Sequence, residues 1–141
     1  MVEAEIYVDI NVFVYWLGGH PSLGETAYRW VKKIEEGPRG KYVTSSLTVY
    51  ETLVIIAGLT DRSLKDGLFV DRVSDSMTNL KGLVIVPLIP EDYVQASDLM
   101  RKYELDYEDS LHLATALRMD AREIVSNDED FDKTPLKRSF F

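Results

Sequence analysis

The 141-residue sequence predicts an α/β fold with a mainly parallel sheet. Strand-length apolar runs alternate with stretches of helical periodicity, the pattern of successive βαβ units. The run Leu83-Val84-Ile85-Val86 is continuously apolar, as expected of a strand covered by helices on both faces. Acidic residues recur just after predicted strands or early in predicted helices, at Asp9, Glu51, Asp109 and the Asp128/Asp130 pair. Open sheets of this kind bind ligands outside the carboxyl ends of their strands.

The first predicted strand is Glu5-Ile6-Tyr7-Val8, with Asp9 directly after it and a further apolar run beyond Asn11. Ser22 and Glu25 have the spacing of a capping box, and Ala27, Trp30, Val31 and Ile34 then mark one apolar helical face. Gly37-Pro38 ends that helix. Lys41-Tyr42-Val43 predicts a strand leading into Thr44-Ser45-Ser46, which caps a helix carrying Glu51 and stopping near Gly58. Leu64, Leu68, Val73, Met77 and Leu80 form a looser helical stripe, weakened by Gly67. After the Leu83–Val86 strand, Pro90 suits a first helical position, and Glu91 and Asp92 favour the helix dipole. Val94, Leu99 and Tyr103 are that helix's core face. Asp106 caps the next helix, where Ala114 and Ala116 permit close packing, and Glu123-Ile124-Val125 is the last predicted strand. The length suits a single domain over residues 1–141, and the sequence contains no repeat, linker or low-complexity segment.

Composition narrows the chemistry. With no cysteine, neither a disulfide framework nor a thiolate zinc site can form. The apolar run from Leu83 to Ile89 is broken by Pro87 and falls far short of the ~20 residues that span a bilayer. The acidic start (Glu3, Glu5) lacks a charged-then-apolar leader pattern, so a cytoplasmic location is expected. The net charge of −8 argues against a passive nucleic-acid binder, whose affinity depends on basic contacts to phosphates. It argues less against a nuclease, where bound divalent metal offsets part of the acid. The densest basic cluster is Lys133, Lys137 and Arg138.

Carboxylates without accompanying histidine pairs or cysteines suit hard, oxygen-preferring cations. Each acid also has a local reading. Asp9 could cap a turn, although its apolar frame of Val8 and Ile10 is unusual for a solvated cap. Thr48 and Glu51 match a capping box, while Ser45 or Ser46 as cap would place Glu51 inside the helix. Asp109 sits where an acid favours the helix dipole. The alternating acids from Asp128 to Asp132 suggest a calcium loop, but Lys133 replaces its glycine and Ser139 its final glutamate. No H-E-x-x-H or phosphate-binding glycine loop occurs, and His112 reads as a packing residue of the Asp109 helix.

The order of these segments carries more than any one of them. Ile6-Tyr7-Val8-Asp9-Ile10-Asn11-Val12-Phe13, Thr44 through Glu51, Leu105-x-Tyr107-x-Asp109 through Ala114, and Ile124-Val125-Ser126-Asn127-Asp128-x-Asp130-Phe131 together resemble the PIN-domain family. The resemblance is strongest to its small VapC-type toxins and spans nearly the whole chain. It implies a three-layer α/β/α sandwich and Mg2+- or Mn2+-dependent hydrolysis of RNA. By position, Asp9, Glu51 and Asp109 match the main metal-site acids, and Asp128 the more variable fourth. Asp130 matches a recurrent site or loop position, Ser126 and Asn127 the turn before it, and Ser110 replaces a frequent alanine. On that basis Asp9 and Asp109 form the metal cage, Glu51 orients water or a second ion, and Asp128 completes the coordination. A toxin role further implies a cognate antitoxin and a homodimer, with Leu64 and Leu68 as an interface unless their stripe is plain core. Other readings are a catalytically silent adaptor and a metal-dependent DNA nuclease or phosphatase. Phe140-Phe141 is left to pack on the domain, mediate dimerisation or dock a partner.

Overall fold

The computed structural model describes residues 4–141; Glu3, counted in the acidic N-terminal segment, lies outside them. Among the described residues the elements follow in the order β1 (Ile6–Val8), α1 (Ile10–Leu17), α2 (Gly24–Glu36), β2 (Tyr42–Ser45), α3 (Ser46–Thr60), α4 (Gly67–Thr78), β3 (Leu83–Val86), α5 (Pro90–Tyr103), α6 (Tyr107–Arg118), β4 (Glu123–Val125) and β5 (Lys137–Ser139). The strands form one sheet in the order β3-β2-β1-β4-β5, and every pairing is parallel. Strand alternation divides the core in two. Ile6, Val8, Tyr42 and Val125 face Val12, Phe13, Val31, Ile34 and Met77, whereas Tyr7, Val43 and Ile124 face Ala96, Leu99, Leu113 and Phe131. The result is the α/β/α sandwich, with α1, α2 and α4 on one face and α5 and α6 on the other.

Local chemistry explains most boundaries. Ser45 caps α3 by accepting from the Leu47 N–H, Asp66 caps α4 through Phe69, and Asp106 caps α6 through Asp109. Pro90 opens α5, where buried Asp92 accepts from the Ile89 N–H and is clamped by both arms of Arg118.

Several boundaries differ from expectation. The Ser22–Glu25 capping box does not form: helix α2 starts at Gly24, and the His20 ring Nδ1 accepts from the Ser22 and Leu23 N–H groups instead. Helix α3 runs past Gly58 to Thr60 and ends on Asp61 in the left-handed conformation (φ 52°). Thr48 lies inside α3 with its hydroxyl bonded to that of Thr44, which removes the Thr48–Glu51 capping box. In the α4 stripe, Val73, Met77 and Leu80 are core, but Leu64 and Leu68 are exposed.

Helix α1, which begins immediately after Asp9, and strand β5 are additions to the elements read from the sequence. Residues Lys137-Arg138-Ser139 show no apolar alternation because β5 is an edge strand, and its polar side chains suit that position. Beyond it, Phe140 is buried against Tyr15 and its carbonyl accepts from the Trp30 indole N–H, whereas Phe141 is exposed.

Gly82, just before β3, abuts the end of α2. A Cβ there would overlap the Ile34 carbonyl oxygen, a backbone atom that cannot swing aside. Gly82→Ala is therefore expected to destabilise the fold by about 1–3 kcal/mol, the usual cost of overpacking, read as a lowered urea midpoint.

Candidate metal centre

The parallel register carries the ends of β1 and β4 to the same edge, where the Asp9 N–H donates to the Val125 carbonyl at 3.0 Å. Asp9 is only 3% exposed, although it is an acid. Its Oδ2 accepts from the Ser126 hydroxyl at 2.6 Å and from the Asn11 amide at 3.3 Å. Its Oδ1 is buried with no hydrogen-bond partner, the sole such side-chain atom among the described residues. Burial pushes the Asp9 carboxyl above its usual range, against the lowering influence of His112 and Ser126.

Ser126 and Asn11 organise the surrounding turn. The Ser126 Oγ accepts from the Asp128 N–H, and the Asn11 side-chain oxygen accepts from the Asn127 N–H. Asp128 then caps the 3₁₀ turn Glu129–Lys133 through the Asp130 N–H, while buried Phe131 anchors that turn in the core. Arg138 holds the loop from β5, donating to the Ser126 carbonyl and to both oxygens of Asp132. Lys133 pairs with Asp130 at 3.4 Å. Two of the three residues in the basic C-terminal cluster are thus engaged by acids of this loop.

The predicted site acids fall into two neighbouring groups. Asp109, Asp128 and Asp130 present carboxylate oxygens within 4.8 Å of one another, close enough for one cation. Asp9 belongs electrostatically to this group, since its charge and that of Asp128 both bear on Asp109. Glu51 instead groups with Glu108 and His112. Its Oε1 lies 2.6 Å from the His112 Nε2, and the His112 Nδ1 lies 2.6 Å from the Tyr7 hydroxyl. His112 is therefore buried, as expected of a packing residue, but it is bonded to a candidate site acid. Neither His112 nor Glu108 was legible as a site residue; the helical spacing of Glu108, Asp109 and His112 was the available signal.

Electrostatics distinguish the two groups. Asp109 is raised to about 7 by burial, then by Asp106, Asp128 and Asp9. Glu108 is raised to about 7, chiefly by its hydrogen bond with Glu51, which itself is lowered because contacts with His112 and Glu108 outweigh burial. Burial alone would lower the His112 pKa, but Tyr7, Glu51 and Asp9 raise it well above its ordinary value. His112 thus lies buried against Glu51, with its pKa raised by the groups around it.

A divalent cation fits this donor set. Asp109, Asp128 and Asp130 offer only hard oxygens, and the orphaned Asp9 Oδ1 lacks the partner that a buried carboxylate oxygen requires.

Residues 6–137 match the family model for the PIN domain. The chain belongs to the PIN-domain family. Membership carries the coarser half of the functional expectation, a PIN-type nuclease. Solved structures with the same fold include VapC20 of Mycobacterium tuberculosis, a sarcin-ricin loop cleaving toxin (TM-score 0.70, 14% identity, 91% of this chain and 93% of that one). A toxin-antitoxin complex from Klebsiella pneumoniae has a TM-score of 0.65 at 19% identity, covering 95% of this chain and 99% of that one. VapBC2 of Rickettsia felis, bound to a DNA fragment from its promoter, has a TM-score of 0.64 at 18% identity, covering 95% and 96%. No curated protein sequence matches the chain. Among the described residues no helix is long and apolar enough to cross a membrane.

The raised carboxyls make metal-free stability depend on pH. Between their unfolded values and about 7, folded Asp109 and Glu108 retain protons that the unfolded chain has lost, so stability falls as pH rises through that window. His112, raised above its unfolded value, acts in the same direction from its ordinary pKa upward. The melting temperature in EDTA is expected to fall between about pH 5 and about pH 8, and excess Mg2+ to remove much of that fall by binding the ionised acids.

Proposed function

We propose that this PIN-domain protein is a metal-dependent endoribonuclease using Mg2+ or Mn2+, and the toxin of a toxin-antitoxin pair. The observation that carries the reading is the partnerless, buried Asp9 Oδ1, on an acid whose charge bears on Asp109, while Asp109, Asp128 and Asp130 present carboxylate oxygens within 4.8 Å of one another. A carboxylate desolvated to this degree is costly unless a cation completes it. The fold similarity to VapC20, described as a sarcin-ricin loop cleaving toxin, supports RNA as substrate.

In this reading Asp9, Asp109 and Asp128 hold the ion, with Asp130 at the exposed rim. When bound, the ion supplies Lewis-acid charge against the scissile phosphate and lowers the pKa of a water. Ser126 and Asn11 fix Asp9 so that Oδ1, rather than Oδ2, faces the cation. Glu51 presents Oε2 for water or a second ion while Oε1 is held by His112.

The similarity to toxin-antitoxin complexes supports an antitoxin partner. An exposed apolar band of Val54, Ile55, Leu59, Leu64 and Leu68 is available for protein contact, and a homodimer across it fits the same surface.

Asp9→Asn is expected to abolish cleavage of labelled RNA while leaving the melting temperature equal or higher, because it removes a buried charge with an unpaired oxygen. Products should carry 5′ phosphates; 2′,3′-cyclic phosphates would refute water as the nucleophile. Cleavage of DNA but not RNA in the same assay would overturn the substrate assignment.

A further inference from the structure

Glu51 has a buried support that the metal-site reading does not require. The His112 side chain is 1% exposed and Glu51's is 11% exposed. Tyr7 on β1, His112 on α6 and Glu51 on α3 form one hydrogen-bonded line with both links at 2.6 Å, joining three elements distant in sequence. Tyr7 is fully buried, so the line is anchored in the sheet rather than in solvent. A packing residue would not need both ring nitrogens matched in this way.

We propose that His112, gripped by Tyr7, is the positioning residue for Glu51, fixing its carboxylate so that Oε2 is presented to a cation or its water. This rests on the metal-site reading of Glu51. A glutamate side chain has several freely rotating bonds, so its carboxylate needs an anchor to hold one orientation. His112 supplies that anchor: held at Nδ1 by the Tyr7 hydroxyl, its Nε2 engages Oε1 at 2.6 Å. Residues that orient metal-binding groups in this way commonly affect metal affinity nearly as strongly as the ligands themselves.

The test compares His112→Leu with His112→Gln in the full chain. Gln places an amide nitrogen near the Nε2 position and can still donate to Glu51; Leu fills the space and donates nothing. Calorimetric titration with Mn2+ in the absence of RNA is the primary measurement, with melting temperature and circular dichroism establishing folding. His112→Leu is expected to weaken Mn2+ binding by about 10–100-fold, and His112→Gln to recover most of the loss. In RNA cleavage, the loss should fall on kcat with KM little changed. A folded His112→Leu that binds Mn2+ as tightly as the parent, or a His112→Gln no better than His112→Leu, overturns the proposal. Should neither fold, Tyr7→Phe releases the Nδ1 link while keeping the ring. A several-fold weaker Mn2+ affinity then supports the positioning role, and an unchanged affinity overturns it. Asp9→Asn separates the two levels of inference. A parent that binds no Mn2+ removes the nuclease reading and this one with it. Binding that depends on Asp9 but not on His112 removes this one alone.

Discussion

The site depends on burying the Asp9 carboxylate at the end of the central strand. Strand β1 has β2 on one side and β4 on the other, so its carboxyl end is the point at which the sheet's ligand edge is most enclosed. Placing an acid there carries a desolvation penalty, and the fold recovers only part of it through the Ser126 hydroxyl, the Asn11 amide and the β4 register. One oxygen is left over. The turn that carries Asp128 is built on the same Ser126 hydroxyl, so the loop acids and Asp9 are positioned by one shared group rather than independently.

Around this point negative charge accumulates faster than the protein neutralises it. Asp106, Asp128 and Asp9 raise the Asp109 carboxyl, and Glu51 raises that of Glu108. Within the buried layer His112 bonds Glu51, and on the outer side Lys133 and Arg138 hold the loop. Such an arrangement is strained toward protonation when empty and relieved when a divalent ion binds. Stability and ligand binding are therefore linked through the same carboxylates.

Much of this was legible from residue order. Strand-length apolar runs located β1, β2, β3 and β4, and the caps Ser45 and Asp106 and the first-turn Pro90 located the starts of their helices. Strand β5 was not, because an edge strand written as Lys-Arg-Ser has no apolar period to detect. The cap of α2 was misassigned because Ser22 and Glu25 match a local pattern, whereas the real acceptor, His20, has no propensity that advertises it. At the candidate site, Asp109, Asp128 and Asp130 come within 4.8 Å of one another, and the charge of Asp9 bears on Asp109. The partition of Glu51 into a second group with His112 depends on α3 and α6 facing each other across β1, a tertiary relation that no local pattern encodes. Helical spacing did place His112 beside Asp109; it could not tell a packing histidine from one bonded to an acid.

The overall charge of −8 gains a different meaning once the pairings are known. Arg29, Arg62, Arg101, Arg118, Lys133 and Arg138 each face an acid of this same chain. A free basic groove of the kind that draws in polyanions at long range is therefore not what these cations supply. A bound divalent ion would add positive charge at the acid cluster itself, a local attraction for a phosphate. Such a surface discourages non-specific retention of nucleic acid, because phosphates away from the metal meet net negative charge.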